Sequence, residues 1–158
     1  MYMPIDPKRT ATILGAALFT VTAIVLGYAA LGIIPAFIFT FGYLGGLIIW
    51  LLVVNEVPVK TIALPYFVTL ILFVVHKVEE REKDFFPALS ELTGVPVPDA
   101  TSWQAILLYA IACVWLLIPL LVWKRYVFGY YLAWTFFASM GITELAHFVF
   151  PLFRDQPY

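Results

Sequence analysis

Over residues 11–54 the sequence has no charged residue. As one straight helix, at about 1.5 Å per residue, that run would be about twice as long as a bilayer's hydrocarbon core is thick. It must therefore fold back. Gly32 and Pro35 mark the place, because glycine can leave a helix in the left-handed region and proline is pre-set for the first turn of the next. The spacing predicts a first span over 11–31, a turn within 29–35, and a second span over 36–54. Gly42 and Gly46 lie four residues apart in the second span, a spacing that admits close helix contact. Such spacing is common in apolar helices and implies packing only.

The remaining composition agrees with a membrane protein. Of the 158 residues 63% are hydrophobic and 12% charged, whereas a soluble domain carries about 25% charged residues. Too little polar surface remains to coat a water-soluble globule, so 1–158 is read as a single integral membrane domain. A net charge of -1 gives no electrostatic reason to expect nucleic acid as a partner. Cys113 is the only cysteine, which excludes an intrachain disulfide. Lys8 and Arg9 precede the first apolar run as in a signal peptide. That run is far too long for one and lacks a polar stop, so it is read as a retained span.

Further along, Pro58 closes the second span, and Pro65 falls in the first turn of a third span over 61–75. Its helix should continue through His76 to Lys83. Residues 84–102 form the one sizeable polar connection. Within it 87–93, with proline at its start and Gly94 after it, reads as a short interfacial helix. Phe85, Phe86, Leu89 and Leu92 would form its apolar side, and 95–98 should be extended. A fourth span runs over 103–123, with tryptophan at both ends as interface anchors. Lys124 and Arg125 make the next turn, and a fifth span over 126–150 stops at Pro151. The expected fold is all-α, a polytopic transmembrane helix bundle of about five spans.

Lys8, Arg9, Lys60, Lys124 and Arg125 fall on one side and Lys77, Arg81, Lys83 and Arg154 on the other. The excess places the N-terminus in the cytoplasm. Parity adds that spans three and five run in the same direction, so their far ends share a membrane face. Asn55 and Glu56 fall on the opposite face and read as a helix-end cap and an interface charge.

The chemistry gathers at those far ends. His76, Glu79 and Glu80 close the third apolar run, and Glu144 and His147 lie near the end of the fifth. Together they hold both histidines of the protein. Positions 76, 79 and 80 are related by i, i+3 and i+4 and share one helix face, as do 144 and 147. A carboxylate in an apolar span costs a few kcal/mol and needs a partner. Glu-x-x-His facing a second His/Glu group is the ligand pattern of di-iron and di-manganese carboxylate bundles. Imidazole and carboxylate suit iron or zinc. Two histidines and one carboxylate on a single zinc, with Glu80 as general base, also fit, although the doubled His/Glu pattern favours two irons and oxidative chemistry.

Three readings stand open. The first is a membrane-embedded, metal-dependent enzyme acting on a lipophilic substrate, with His76, Glu79, Glu80, Glu144 and His147 as ligands and Glu80 as ligand or catalytic base. Iron would imply oxidative chemistry, and zinc hydrolysis. The second is a metal-free His/Glu acid–base enzyme on a lipid or isoprenoid, with His76 and Glu144 shuttling the proton, since histidine titrates near neutrality and burial raises a glutamate towards it. The third is a non-enzymatic accessory subunit, in which the charges are a solvated juxtamembrane run that contacts membrane lipids or a larger helical complex. The aromatic stripe Tyr130, Tyr131, Trp134, Phe136 and Phe137 reads as packing and lipid contact, or as the lining of a substrate tunnel.

The string His76-Lys77-Val78-Glu79-Glu80, in a small multi-span protein, resembles the family of membrane proteins named after its His-x-x-Glu-Glu motif (HXXEE). The likeness rests on His76, Glu79, Glu80 and a later histidine matched to His147. It implies a shared site without specifying a reaction, and a further apolar span after 154–158.

Overall fold

The computed structural model describes residues 7–53 and 57–149, with side chains for 8–53 and 57–142. The first helix, α1, spans Pro7–Leu31. Gly32 ends it with φ 87°, a value that costs glycine little and other residues much. A Cβ at Gly32 would also lie 2.7 Å from Val95 Cγ2. The second span follows at once as α2 (Ile33–Phe39), a π turn (Thr40–Leu44) and α3 (Gly45–Leu52). The Thr40 hydroxyl donates back to the Ala36 carbonyl at 2.8 Å where the π turn begins, a contact that bends helices.

The third span, α4, is Val59–Glu82, with Pro58 as its N-cap. Because the helix starts before residue 61, Pro65 lies inside it rather than in its first turn. The short helix α5 (Phe85–Thr93) ends on Gly94 at φ 68° and buries Ala88 and Leu89. The fourth span comprises α6 (Trp103–Val114), a 3-10 turn (Trp115–Leu117) and α7 (Ile118–Trp123). Ser102 caps α6 by accepting from the Ala105 amide. The last helix among the described residues, α8, is Val127–Val149. Four of these spans are long and apolar enough to cross a membrane, and α8 is apolar over Val127–Ile142. No strand occurs among the described residues. The protein is an all-α, integral membrane helix bundle. The expected helix-end role of Asn55 and Glu56, and the stop at Pro151, lie outside the described residues.

Close backbone contact makes the core. A Cβ on Gly42 would meet Ser139 Cα at 2.8 Å, and one on Gly46 would meet Thr135 Cα at 2.5 Å. The two glycines of the second span thus lie against two small residues of α8, also four apart, in antiparallel order. Beside this seam Tyr131 is fully buried, with its hydroxyl 2.7 Å from that of Thr20 on α1. A buried phenol needs such a partner. Trp50 packs edge-on to Tyr131 at 5.5 Å, and Trp115 lies 4.8 Å from Phe136. The aromatic stripe of α8 is therefore largely core: Tyr130, Tyr131 and Phe136 are buried.

Helix directions follow from contacts. The Tyr130 hydroxyl, near the start of α8, donates to the Val57 carbonyl just before α4 at 3.1 Å. Further along both helices, Phe136 meets Tyr66 and Phe73 with ring centroids 5.8 and 6.2 Å apart. Hence α4 and α8 run in the same direction. A proline fixes how α4 docks on the fourth span. Pro119 has no N–H to give the Trp115 carbonyl four residues earlier. The turn tightens so that the Ile118 amide reaches that carbonyl, and the Tyr66 hydroxyl of α4 adds a second donor at 3.2 Å.

Candidate functional site

The packing face of α4 leads to the candidate site. Tyr66, Phe73 and Glu80 are seven residues apart, which brings each to within about 20° of the one before. Tyr66 and Phe73 carry this face against Phe136 of α8, and His76 flanks it one turn before Glu80. His76 is 2% exposed and Glu80 5%. Both belong to the inward side of a helix that leaves Val74, Val75 and Val78 exposed on its outer side.

The two inward residues meet. His76 Nε2 lies 3.0 Å from Glu80 Oε1, an i, i+4 contact. The other carboxylate oxygen, Oε2, accepts from Lys77 Nζ at 2.5 Å. Lys77 is half-exposed, and its ammonium stands 5.7 Å from the centroid of the Phe73 ring. Its long stem lets the charge reach the polar boundary while it neutralises a buried carboxylate. Glu80 thus bridges an exposed cation and a buried imidazole, using a different oxygen for each. The i, i+3 spacing of opposite charges at Lys77 and Glu80 was a signal available in the sequence.

Glu79 does not join this pair. It sits about 100° around the helix from Glu80 and is exposed. The charged residues that follow, Arg81, Glu82 and Lys83, are exposed as well. Of the five expected ligands, the helix therefore brings His76 and Glu80 together and turns Glu79 away. Glu144 and His147 lie within α8, and their side chains are outside the described residues. Among the described residues, no group of three or more His, Cys, Asp or Glu is placed to hold a metal ion.

The arrangement can do three things chemically. It can move a proton between imidazole and a bound group, hold the imidazole in one orientation through Glu80, and balance the carboxylate of Glu80 against the ammonium of Lys77. The polar connection after α4 closes the same end of the bundle: α5 packs on α4, and Val95 rests on Gly32. Compared with models of known protein families, with curated proteins and with solved structures, the protein has no match.

Proposed function

We propose that this protein is a membrane-embedded acid–base enzyme that moves a proton on a lipophilic substrate, with His76 and Glu80 as the proton-transfer pair. The buried 3.0 Å contact between Nε2 and Oε1 carries this reading. A buried ionisable pair is weak support for a fold, because apolar residues of similar size often hold it as well or better. Ionisable residues inside a span are functional by default. Histidine exchanges protons near neutral pH, and a carboxylate on one ring nitrogen fixes which nitrogen carries the proton. The imidazole takes a proton from an activated substrate carbon and returns it to a nearby one as the double bond shifts. Electrons and atoms balance without an oxidant or reductant.

The test is proton exchange at carbon. Purified protein in vesicles of a total lipid extract is incubated in D2O, and the lipids are read by mass spectrometry. Wild type should place non-exchangeable deuterium in a lipid, while His76→Ala and Glu80→Gln should not. Wild-type incorporation no greater than in protein-free vesicles rejects the reading.

One observation favours a second reading, the metal enzyme. Phe136 lies level with the midpoint between Tyr66 and Phe73. From that level His76 and Glu80 are about 10 and 16 Å along α4, and positions 144 and 147 are about 12 and 16 Å along α8. Iron or zinc held by His76, Glu80, Glu144 and His147 would fit such a register, with Glu79 outside the set. Bound iron would supply oxidative chemistry and zinc hydrolytic chemistry. Stoichiometric metal in detergent-purified protein, lost in both His76→Ala and His147→Ala, is the expected result under this reading. Metal-free wild type after chelator-free purification counts against it.

A further inference from the structure

The depth of the pair narrows what it can act on. On α4 the stretch 61–76 carries no formal charge and is about 24 Å long, somewhat less than the hydrocarbon core of about 30 Å. His76 is its last residue. Lys77 follows with its ammonium half-exposed, and Glu79 is fully on the outer side of the helix. An exposed carboxylate is not stable against hydrocarbon, so Glu79 marks the level of the headgroups. Trp103, exposed at the start of the next span on the same face, agrees, since tryptophan collects at that boundary. His76 lies three residues before Glu79, about 4.5 Å deeper along the axis. The imidazole therefore works just inside the hydrocarbon boundary, far from the bilayer centre.

Chemistry narrows it in the same direction. Imidazole and carboxylate are weak bases, and an isolated methylene C–H is far too weak an acid for them. They can move a proton only where a neighbouring polar group, such as a carbonyl, stabilises the charge left on carbon. In an amphiphile lying in a membrane, such carbons are the first few after the polar head, and these are the carbons at the depth of His76. Building on the acid–base reading, we infer that the substrate is an amphiphile whose reacting C–H or C=C lies within the first few carbons of a carbonyl-bearing head. Unsaturation in the middle of an acyl tail would lie too deep.

Two measurements test this separately. For depth, a nitroxide is attached at Val78→Cys in a Cys113→Ser background, both positions being exposed. Its relative accessibility to oxygen and to a water-soluble nickel chelate is then read in phosphatidylcholine vesicles. The expected position is within about 5 Å of the headgroup boundary, and a position near the bilayer centre overturns the inference. For chemistry, two long-tailed methyl ketones are supplied in D2O. One has its double bond β,γ to the carbonyl, and the other has it in the middle of the tail. Wild type should shift the first double bond and add deuterium there, at least tenfold faster than His76→Ala, and should leave the second double bond in place. Migration of the mid-tail bond at a comparable rate overturns the substrate class and leaves the acid–base reading intact. Failure with both ketones overturns the substrate class too. The acid–base reading itself falls only if the total lipid extract also takes up no deuterium.

Discussion

The Tyr66 hydroxyl of α4 donates to the Trp115 carbonyl of the fourth span at 3.2 Å, a carbonyl that Pro119 leaves without its usual helical donor. This contact helps tie the helix bearing His76 and Glu80 to the core, beside the ring contacts of Tyr66 and Phe73 with Phe136. A net hydrogen bond of this kind contributes about 1 kcal/mol. Tyr66→Phe should therefore lower stability by about that amount in a detergent unfolding titration. The sharper test is a double-mutant cycle. In Pro119→Ala the new amide can reach the Trp115 carbonyl, so the cost of Tyr66→Phe should shrink. An unchanged cost in that background would show that the Tyr66 hydroxyl does not serve the carbonyl freed by proline.

The seam between the second span and α8 makes a contrasting prediction. A methyl group at Gly46 would meet backbone atoms of Thr135, Cα at 2.5 Å and N at 2.8 Å, whereas one at Gly15 meets nothing within 4 Å. Packed backbone cannot swing aside as a flexible side group would. Gly46→Ala should destabilise by about 1–3 kcal/mol through overpacking. Gly15→Ala, on an open face of α1, should be neutral or slightly stabilising through helix propensity. Thermal melts in micelles that rank the two variants equally would argue against the close approach.

Much of this frame was legible in the sequence because its signals are local. An uncharged run too long for one crossing forces a reversal, and Gly32 marks where it occurs. Gly94 ends α5, and Trp103 and Trp123 bound the fourth span. What was not legible depends on which side of each helix faces protein. In a soluble helix a polar face reveals this, but here the lipid face and the core face are both apolar. Tyr66 and Phe73 point inward while Phe67, Leu72 and Val74 point outward, and no hydropathy pattern separates them. For the same reason the i, i+3, i+4 spacing grouped Glu79 with His76 and Glu80, although the inward line runs through Tyr66, Phe73 and Glu80. The π turn at Thr40 and the 3-10 turn at Trp115 are responses to packing and to Pro119, which become visible only when a neighbour is in place.

Outside the spans, one carboxylate should titrate abnormally. The backbone amide of Thr101 and then its hydroxyl donate to Asp99 Oδ1, each at 2.8 Å, and together they hold the Asp99 carboxyl below its ordinary value. Such bonds favour the charged form, so the folded value lies below the unfolded value of about 3.9. Their contribution to the turn before α6 is fully present above the unfolded value and is lost as pH falls through the folded one. The Thr101 amide resonance should follow this transition below a pH of about 3.9, where a free aspartate titrates. In Asp99→Asn the pH response should vanish. A wild-type midpoint at or above the ordinary aspartate value would mean that the turn does not form in solution.

The pair itself allows function to be separated from fold. Removing one member, as in Glu80→Ala, leaves a buried imidazole without its carboxylate and Lys77 without its anion, and breaking a buried pair commonly costs about 3–5 kcal/mol. Replacing both members with apolar residues of similar volume, His76→Phe with Glu80→Met, removes the desolvation cost along with the attraction. That double variant should match wild-type stability or exceed it by about 1–4 kcal/mol. It should also lose all deuterium transfer to lipid. The two readouts move in opposite directions only if the pair is kept for chemistry. A structural pair would leave the double variant unstable as well, and a double variant that is stable and still transfers deuterium would place the chemistry elsewhere in the bundle.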